Sequence, residues 1–210
     1  MFKVFHKVSL LAAMAMMFAV PSQAEFSSNM GVATKYMFRG VKQSDQDFVI
    51  SAGADYQGPW GIYAGAWGYT GAIEDLDTTE LNAYAGLAYS LGPVAVGIGA
   101  ITYERGADDL EDNSEYNINL SWNMFRLSSF QDDDNTYQYH EVAANYAFWG
   151  DGGLSFTAGV LQPENVDEVY NFGIRYVQAM PGDVDFDVSF NRHDDKGNSL
   201  VLGMSQKFDW

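Results

Sequence analysis

The strongest constraint on this chain is a period-two alternation of apolar and polar side chains that recurs from one end to the other. Tyr116, Ile118, Leu120 and Trp122 alternate with Glu115, Asn117, Asn119 and Ser121. Tyr170, Phe172, Ile174 and Tyr176 do so with Asn171, Gly173 and Arg175, and Val184, Phe186, Val188 and Phe190 with Asp185, Asp187, Ser189 and Asn191. Leu81, Ala83, Ala85 and Leu87 alternate with Glu80, Asn82, Tyr84 and Gly86. Successive side chains of a strand point to opposite faces, so each segment presents one face to an apolar phase and one to a polar phase. Weaker versions lie near 29–40, 48–57, 60–69, 94–103, 125–131, 137–148, 154–162 and 199–210, which makes 12 candidate strands. No stretch carries apolar residues at sustained helical spacing, so the expectation is all-β.

The connections alternate as well. Tight turns fall at Gln57-Gly58-Pro59, Leu91-Gly92-Pro93, 150–153 and Pro181-Gly182-Asp183, with a weaker one near Asn123 to Phe125. Between them lie acidic connections near 41–47, 70–79, 104–114, 131–136, 163–168 and 193–198, which hold 18 of the 28 acids. Short turns at one rim and longer loops at the other are the pattern of outer-membrane barrels, with the short turns periplasmic. The expected fold is a closed antiparallel transmembrane β-barrel of about 12 strands, or 10 if the Asn123 turn is absent. Loops of only about 6 to 11 residues leave little material for a separate plug. Aromatic residues near strand ends are expected to form interfacial girdles. Phe38, Tyr69, Tyr103, Tyr116, Tyr139 and Tyr170 fall at the outer rim, and Tyr56, Trp60, Tyr89, Trp122, Tyr146 and Trp149 at the periplasmic rim. A soluble periplasmic sandwich would also alternate, but it needs one continuous apolar interior, whereas twelve half-apolar strands suit lipid.

Residues 1–24 read as a signal peptide, with Lys3 and Lys7 near the start, an apolar run from Val8 to Val20 and Ala24 before the cleavage point. The run is 13 residues, short of the roughly 20 that a transmembrane helix needs. The barrel is then 25–210. Losing Lys3 and Lys7 from the 11 basic residues leaves 9 against 28 acids, a balance of −19, which argues against nucleic acid as a partner. There is no cysteine, so stability must come from packing and a closed hydrogen-bond ladder.

The segment Asn29-Met30-Gly31-Val32-Ala33-Thr34-Lys35-Tyr36-Met37-Phe38-Arg39-Gly40, with Gln43-Ser44 and Gly53-Ala54-Asp55-Tyr56, resembles the start of the TorF-type porins. Gly61-Ile62-Tyr63-Ala64-Gly65-Ala66-Trp67-Gly68 resembles it too. That family is also known as conserved bacterial proteins of unknown function. The resemblance implies an outer-membrane channel and brings neither catalytic residues nor a substrate. The final strand, ending Met204-Ser205-Gln206-Lys207-Phe208-Asp209-Trp210, resembles the signal read by the barrel-assembly machinery. The other expected partners are outer-membrane lipid and lipopolysaccharide.

On the polar parity, the lumen is expected to receive Lys35, Arg39, Asp55, Glu80, Asn82, Glu115, Asn117, Asn119, Glu141, Asn145, Asn171, Arg175, Asp185, Asp187 and Lys207. A 12-strand barrel has a backbone radius on the order of 12 Å, which side chains can leave open or close. Lys35, Arg39 and Arg175 among acids form either a selective constriction or an ion-pair network that fills the barrel. Inward Gly53, Gly86, Gly97, Gly99, Gly159, Gly173 and Gly203 leave either open space for solute or room for neighbours such as Tyr84. With six acids against four bases in that lumen set, a pore passing small polar or cationic solutes is expected, with no cofactor. The alternatives are a non-conducting structural or adhesion barrel, and an outer-membrane hydrolase using His140 with Ser128 or Ser129, or His193 with Asp194 and Asp195. No nucleophile motif supports the hydrolase. Asp132, Asp133 and Asp134 match no calcium-loop spacing.

Overall fold

The computed structural model of the chain describes residues 24–44, 48–73, 76–105, 112–147 and 151–210. The expected signal segment therefore lies, apart from Ala24, outside the described residues, as does Trp149. Twelve strands form one closed antiparallel barrel: β1 (Glu25–Ala33), β4 (Val49–Gln57), β5 (Ile62–Ile73), β6 (Leu76–Leu91), β7 (Val94–Arg105), β8 (Asn113–Trp122), β9 (Phe125–Asp132), β10 (Tyr137–Ala147), β11 (Gly152–Pro163), β12 (Val169–Met180), β13 (Val184–His193) and β14 (Gly197–Asp209). Each strand pairs with its neighbour in sequence, and β1 closes the ring by pairing with both β4 and β14. Closure satisfies every edge, which is what a sheet exposed to lipid requires.

The count of 12 depends on the turn between β8 and β9, where Asn123 takes φ 52 and Trp122 pairs with Phe125. Asparagine tolerates this left-handed conformation, so a tight hairpin forms without glycine. On the other rim the acidic connection expected over 70–79 is mostly strand, because β5 and β6 pair as far as Ile73 and Leu76.

The outer face is apolar. Among the described residues 34 large apolar side chains are exposed and 11 apolar side chains are buried, the reverse of a water-soluble core. Leu81, Ile98, Ile118, Leu127, Phe172 and Leu202 belong to this band, flanked by exposed Trp60, Tyr89, Trp122 and Tyr146 on the rim of the short turns, termed periplasmic after the expected orientation.

The first strand is shorter than its sequence pattern suggests. The alternation near 29–40 predicts one strand, but β1 stops at Ala33 and the chain turns inward. There it forms a small hairpin of its own, β2 (Met37–Phe38) and β3 (Val41–Lys42), with Arg39 and Gly40 at the tip. Both tip residues have positive φ, 50 and 79, as expected of a tight two-residue hairpin. The Gln43 amide donates to the Tyr36 carbonyl at 2.9 Å, and the Tyr36 amide donates to the Ser44 hydroxyl at 2.9 Å. Thr34 ties the incoming arm to β14 through its own amide and its hydroxyl, both bonded to Leu202.

Candidate functional site

The inserted hairpin divides the barrel interior. It leaves the wall between β1 and β4 and reaches β8, β9 and β10, on the far side of a twelve-strand ring. Tyr36 stacks at 4.0 Å on Tyr69 and 5.3 Å on Trp67, and Phe38 meets Tyr103 edge-on at 5.6 Å. Trp67, Tyr69 and Val49 form a buried cluster beneath it. Burial, reinforced by the Glu80 carboxylate, pushes the Tyr36 phenol well above its ordinary range.

Tyr69, Tyr103 and Tyr139 thus belong to the lumen and Phe38 to the hairpin, and not to the outer girdle. Their strand parity decides this. Tyr139 shares the parity of inward Glu141, and Tyr69 that of inward Trp67, so nearness to a strand end was the weaker signal. Tyr116 and Tyr170, on the opposite parity, do face outward.

Arg39 sits at the centre. Its Nη2 donates to Glu115 Oε2 at 2.7 Å, and its guanidinium carbon lies 4.3 Å from the Tyr139 ring, 4.6 Å from Phe38, 4.9 Å from Phe130 and 5.8 Å from Tyr137. Glu115 is 0% exposed and takes two further donors, the Tyr103 hydroxyl at 3.0 Å and the Tyr137 hydroxyl at 2.6 Å. Burial works against the charge on Arg39, but the Glu115 carboxylate outweighs it and holds the guanidinium above its ordinary range. Gly40 completes the fit: a Cβ there would stand 2.7 Å from the Asn171 Cβ, so only glycine lets the tip pass.

Three further inward arginines are paired with acids of neighbouring strands. Arg105 Nε donates to Glu80 at 3.1 Å, Arg126 Nη2 to Glu141 at 2.9 Å, and Arg175 Nε to Asp187 at 3.3 Å. Arg105 and Arg126 were missed in the sequence, although Arg126 lies on the inward parity of Ser128 and Phe130. Tyr84 donates a short hydrogen bond to Asp55, which also accepts from Asn29 at 3.5 Å. Asn119 donates to Asn117 at 2.9 Å, and the Tyr139 hydroxyl donates to Asn171 at 3.3 Å. Asn82 and Asp185 are buried, and Asn145 stands near the periplasmic turn, where its amide bonds to Met124. Lys35 lines a small recess with Ser51, Asp187 and Ser205. Lys207 keeps the inward parity, opposite Asn29 in register, and pairs with Asp209 at 2.7 Å at the exposed mouth of the barrel.

The inward glycines make room for neighbours. Tyr63 lies over Gly86 and Gly99 and donates to the Ile98 carbonyl at 3.3 Å; Tyr139 lies over Gly159, and Tyr84 over Gly65. A methyl group at any of these positions would meet the phenol. Among these glycines, neighbour packing explains the space better than a solute path does.

Among the described residues His140 and His193 have no hydroxyl nucleophile bonded to them. His140 and Ser129 are register partners on the outer face, in an apolar groove with Leu127, Val142 and Val160, and among the described residues no hydrogen bond joins them. Glu141 also borders this groove, but its carboxylate accepts from Arg126 at 2.9 Å. His193 is buried and its Nδ1 accepts the amides of Asp195 and Lys196 at 3.2 Å each, so it shapes the last outer turn. Among the described residues no cluster of His, Asp and Glu can hold a metal ion.

The fold matches solved outer-membrane proteins. The chain is similar to the KdgM porin, with a TM-score of 0.68 at 7% identity over 87% of this chain and 99% of that one. It is also similar to the COG4313 outer membrane channel from Pseudomonas putida F1, with a TM-score of 0.56, 11% identity, and 91% and 97% coverage. The Acinetobacter baumannii outer membrane protein Omp33 matches with a TM-score of 0.53, 10% identity, and 91% and 100% coverage. These likenesses establish the fold, and these neighbours are outer-membrane proteins, two of them described as a porin or a channel. No curated protein matches the sequence. A family model does match residues 19–176, three quarters of the chain, and it bears no porin name. The chain belongs to that family, described as bacterial protein of unknown function (Gcw_chp).

Proposed function

We infer that this chain is exported by residues 1–24 and resides in the outer membrane as a porin-like channel for passive diffusion of small polar or cationic solutes. The observation that carries the reading is a closed barrel with an apolar outer face and a charged, hydrogen-bonding interior. Buried polar atoms without a protein partner among the described residues, including Asn82 Oδ1, Asn119 Oδ1 and Tyr69 OH, are what a wet interior provides for. The resemblance of the opening segment to TorF-type porins supports the same reading.

Cation preference follows from the acid excess and from Asp55, whose partners among the described residues are neutral donors. The residues expected to line the path are those of the polar parity, now with Arg105 and Arg126. Lipid and lipopolysaccharide contact the outer band. The last strand engages the assembly machinery, where Trp210 closes onto β1 through its amide to the Phe26 carbonyl at 2.9 Å.

The hairpin favours a second reading, a non-conducting structural barrel, because it packs aromatic rings across the outer half of the lumen. Single-channel recording of protein purified from outer membranes separates the two. Discrete conductance steps with a cation-selective reversal potential are expected. Absence of steps supports the structural barrel, and anion selectivity overturns the solute class.

A further inference from the structure

The socket around Arg39 has an unusual construction: every part of it that holds the cation except Phe38 belongs to the barrel wall. Glu115, Tyr103, Tyr137, Phe130 and Tyr139 stand on β7 to β10, strands held to their neighbours by the ladder of the closed ring and not by the hairpin. The cation itself arrives on a loop. A carboxylate at 0% exposure, fixed by two phenol donors and walled by aromatic rings, is a preformed receptor for a planar cation. Guanidinium fits it in charge, in donor geometry and in its capacity to stack.

We propose that this socket is a recognition site for solutes that carry a guanidinium group, and that Arg39 is its tethered resident, which such a solute displaces to release the hairpin from the lumen. The inference rests on the channel reading for the route by which solute arrives, but binding at the socket stands independently of conductance. A resident on a short tether competes at an effective concentration on the order of millimolar, so the wild-type protein masks its own site. The socket's occupant is then the switch: solute in the socket and hairpin in the socket are mutually exclusive, and solute binding draws the population toward an unlatched hairpin.

The test uses full-length protein purified in detergent, its folding checked by heat-modifiable gel migration, and calorimetric titration with ethylguanidinium and with ethylurea, its neutral counterpart of the same shape. Arg39→Ala should bind ethylguanidinium about tenfold or more tightly than wild type and should not bind ethylurea, since charge-assisted hydrogen bonds carry the difference. The double variant Arg39→Ala with Glu115→Gln should lose that binding. A folded Arg39→Ala protein that binds neither compound, or both equally, overturns the proposal, as does binding that survives in the double variant. If Arg39→Ala does not fold, Arg39→Lys keeps a charge while losing the fork, and it should bind ethylguanidinium more tightly than wild type; no gain overturns the proposal. In planar bilayers, binding without conductance steps removes the channel reading alone, and steps without binding remove this proposal alone.

Discussion

The two halves of the barrel interior are built on different principles. The outer half is packed like a protein core: Trp67, Tyr69, Tyr103, Phe130 and Tyr139 are buried there, and Arg39 of the hairpin bonds to a carboxylate 76 residues away. The periplasmic half is lined largely by small and polar side chains, among them Ala88, Gly97, Asn119, Ser189 and Ser205, with Tyr63 laid over Gly86 and Gly99 and the Arg126–Glu141 and Arg175–Asp187 pairs between neighbouring strands. The same alternation of parity produced both. What separates them is a loop segment that enters one half and adds a second layer of side chains there, while among the described residues no loop enters the periplasmic half.

Excising residues 34–48 and joining Ala33 to Val49 by a short turn is the largest perturbation of this contrast. The two ends already face one another in register, so the barrel should close as before. Single-channel conductance should rise severalfold. An unchanged step would mean that the hairpin is not the constriction and that the halves are equivalent for transport.

Glu115→Ala strands a guanidinium that is only 12% exposed, and should cost about 3–5 kcal/mol, read as an earlier unfolding midpoint by heat-modifiable migration. Glu141→Ala removes a carboxylate that is 18% exposed, against 0% for Glu115, and that holds no inserted hairpin, and should cost less, about 1–3 kcal/mol. Equal losses would erase the distinction between a packed and a solvated half.

Gly40→Ala meets Asn171 and a positive φ together, and should destabilise by about 1–3 kcal/mol. Gly92→Ala at the periplasmic rim, with φ 64 and no atom within 4 Å, should show only the backbone part, about 1–2 kcal/mol. Chemical unfolding in detergent distinguishes them.

The smallest effect lies on the outer rim. Glu168 accepts hydrogen bonds from the Tyr170 hydroxyl and from Gln162, which lower its pKa below the usual carboxylate value. A depressed folded pKa favours the folded state above the unfolded value, and the benefit fades as pH falls through the folded pKa. For so exposed a group only the titration should move: Tyr170→Phe should bring the Glu168 carboxyl back up, as followed by carbon NMR, with no change in unfolding.

Much of the wall was legible because strand parity is a local property. Glu115, Asn117 and Asn119 alternate with apolar neighbours that need lipid, and no distant contact is required to read that. The candidate site was legible only in part. Arg39 and Glu115 both stand in the expected lumen set, yet the pattern near 29–40 puts Arg39 on the wall, because the alternation up to Gly40 suits one arm of a short hairpin as well as a strand. Arg126 escaped notice in a weakly patterned strand, although its parity with Ser128 pointed inward.

By itself the sequence determined an antiparallel barrel of about twelve strands, or ten, with an apolar outside, since period-two alternation and turn chemistry act over a few residues at a time. The tertiary structure alone decided where 34–44 goes. Only when the ring closes do β1 and β4 stand opposite β8 to β10, so that a loop leaving one wall meets a buried carboxylate and aromatic rings on the other. That meeting depends on the curvature and diameter of the whole sheet, which no local pattern encodes.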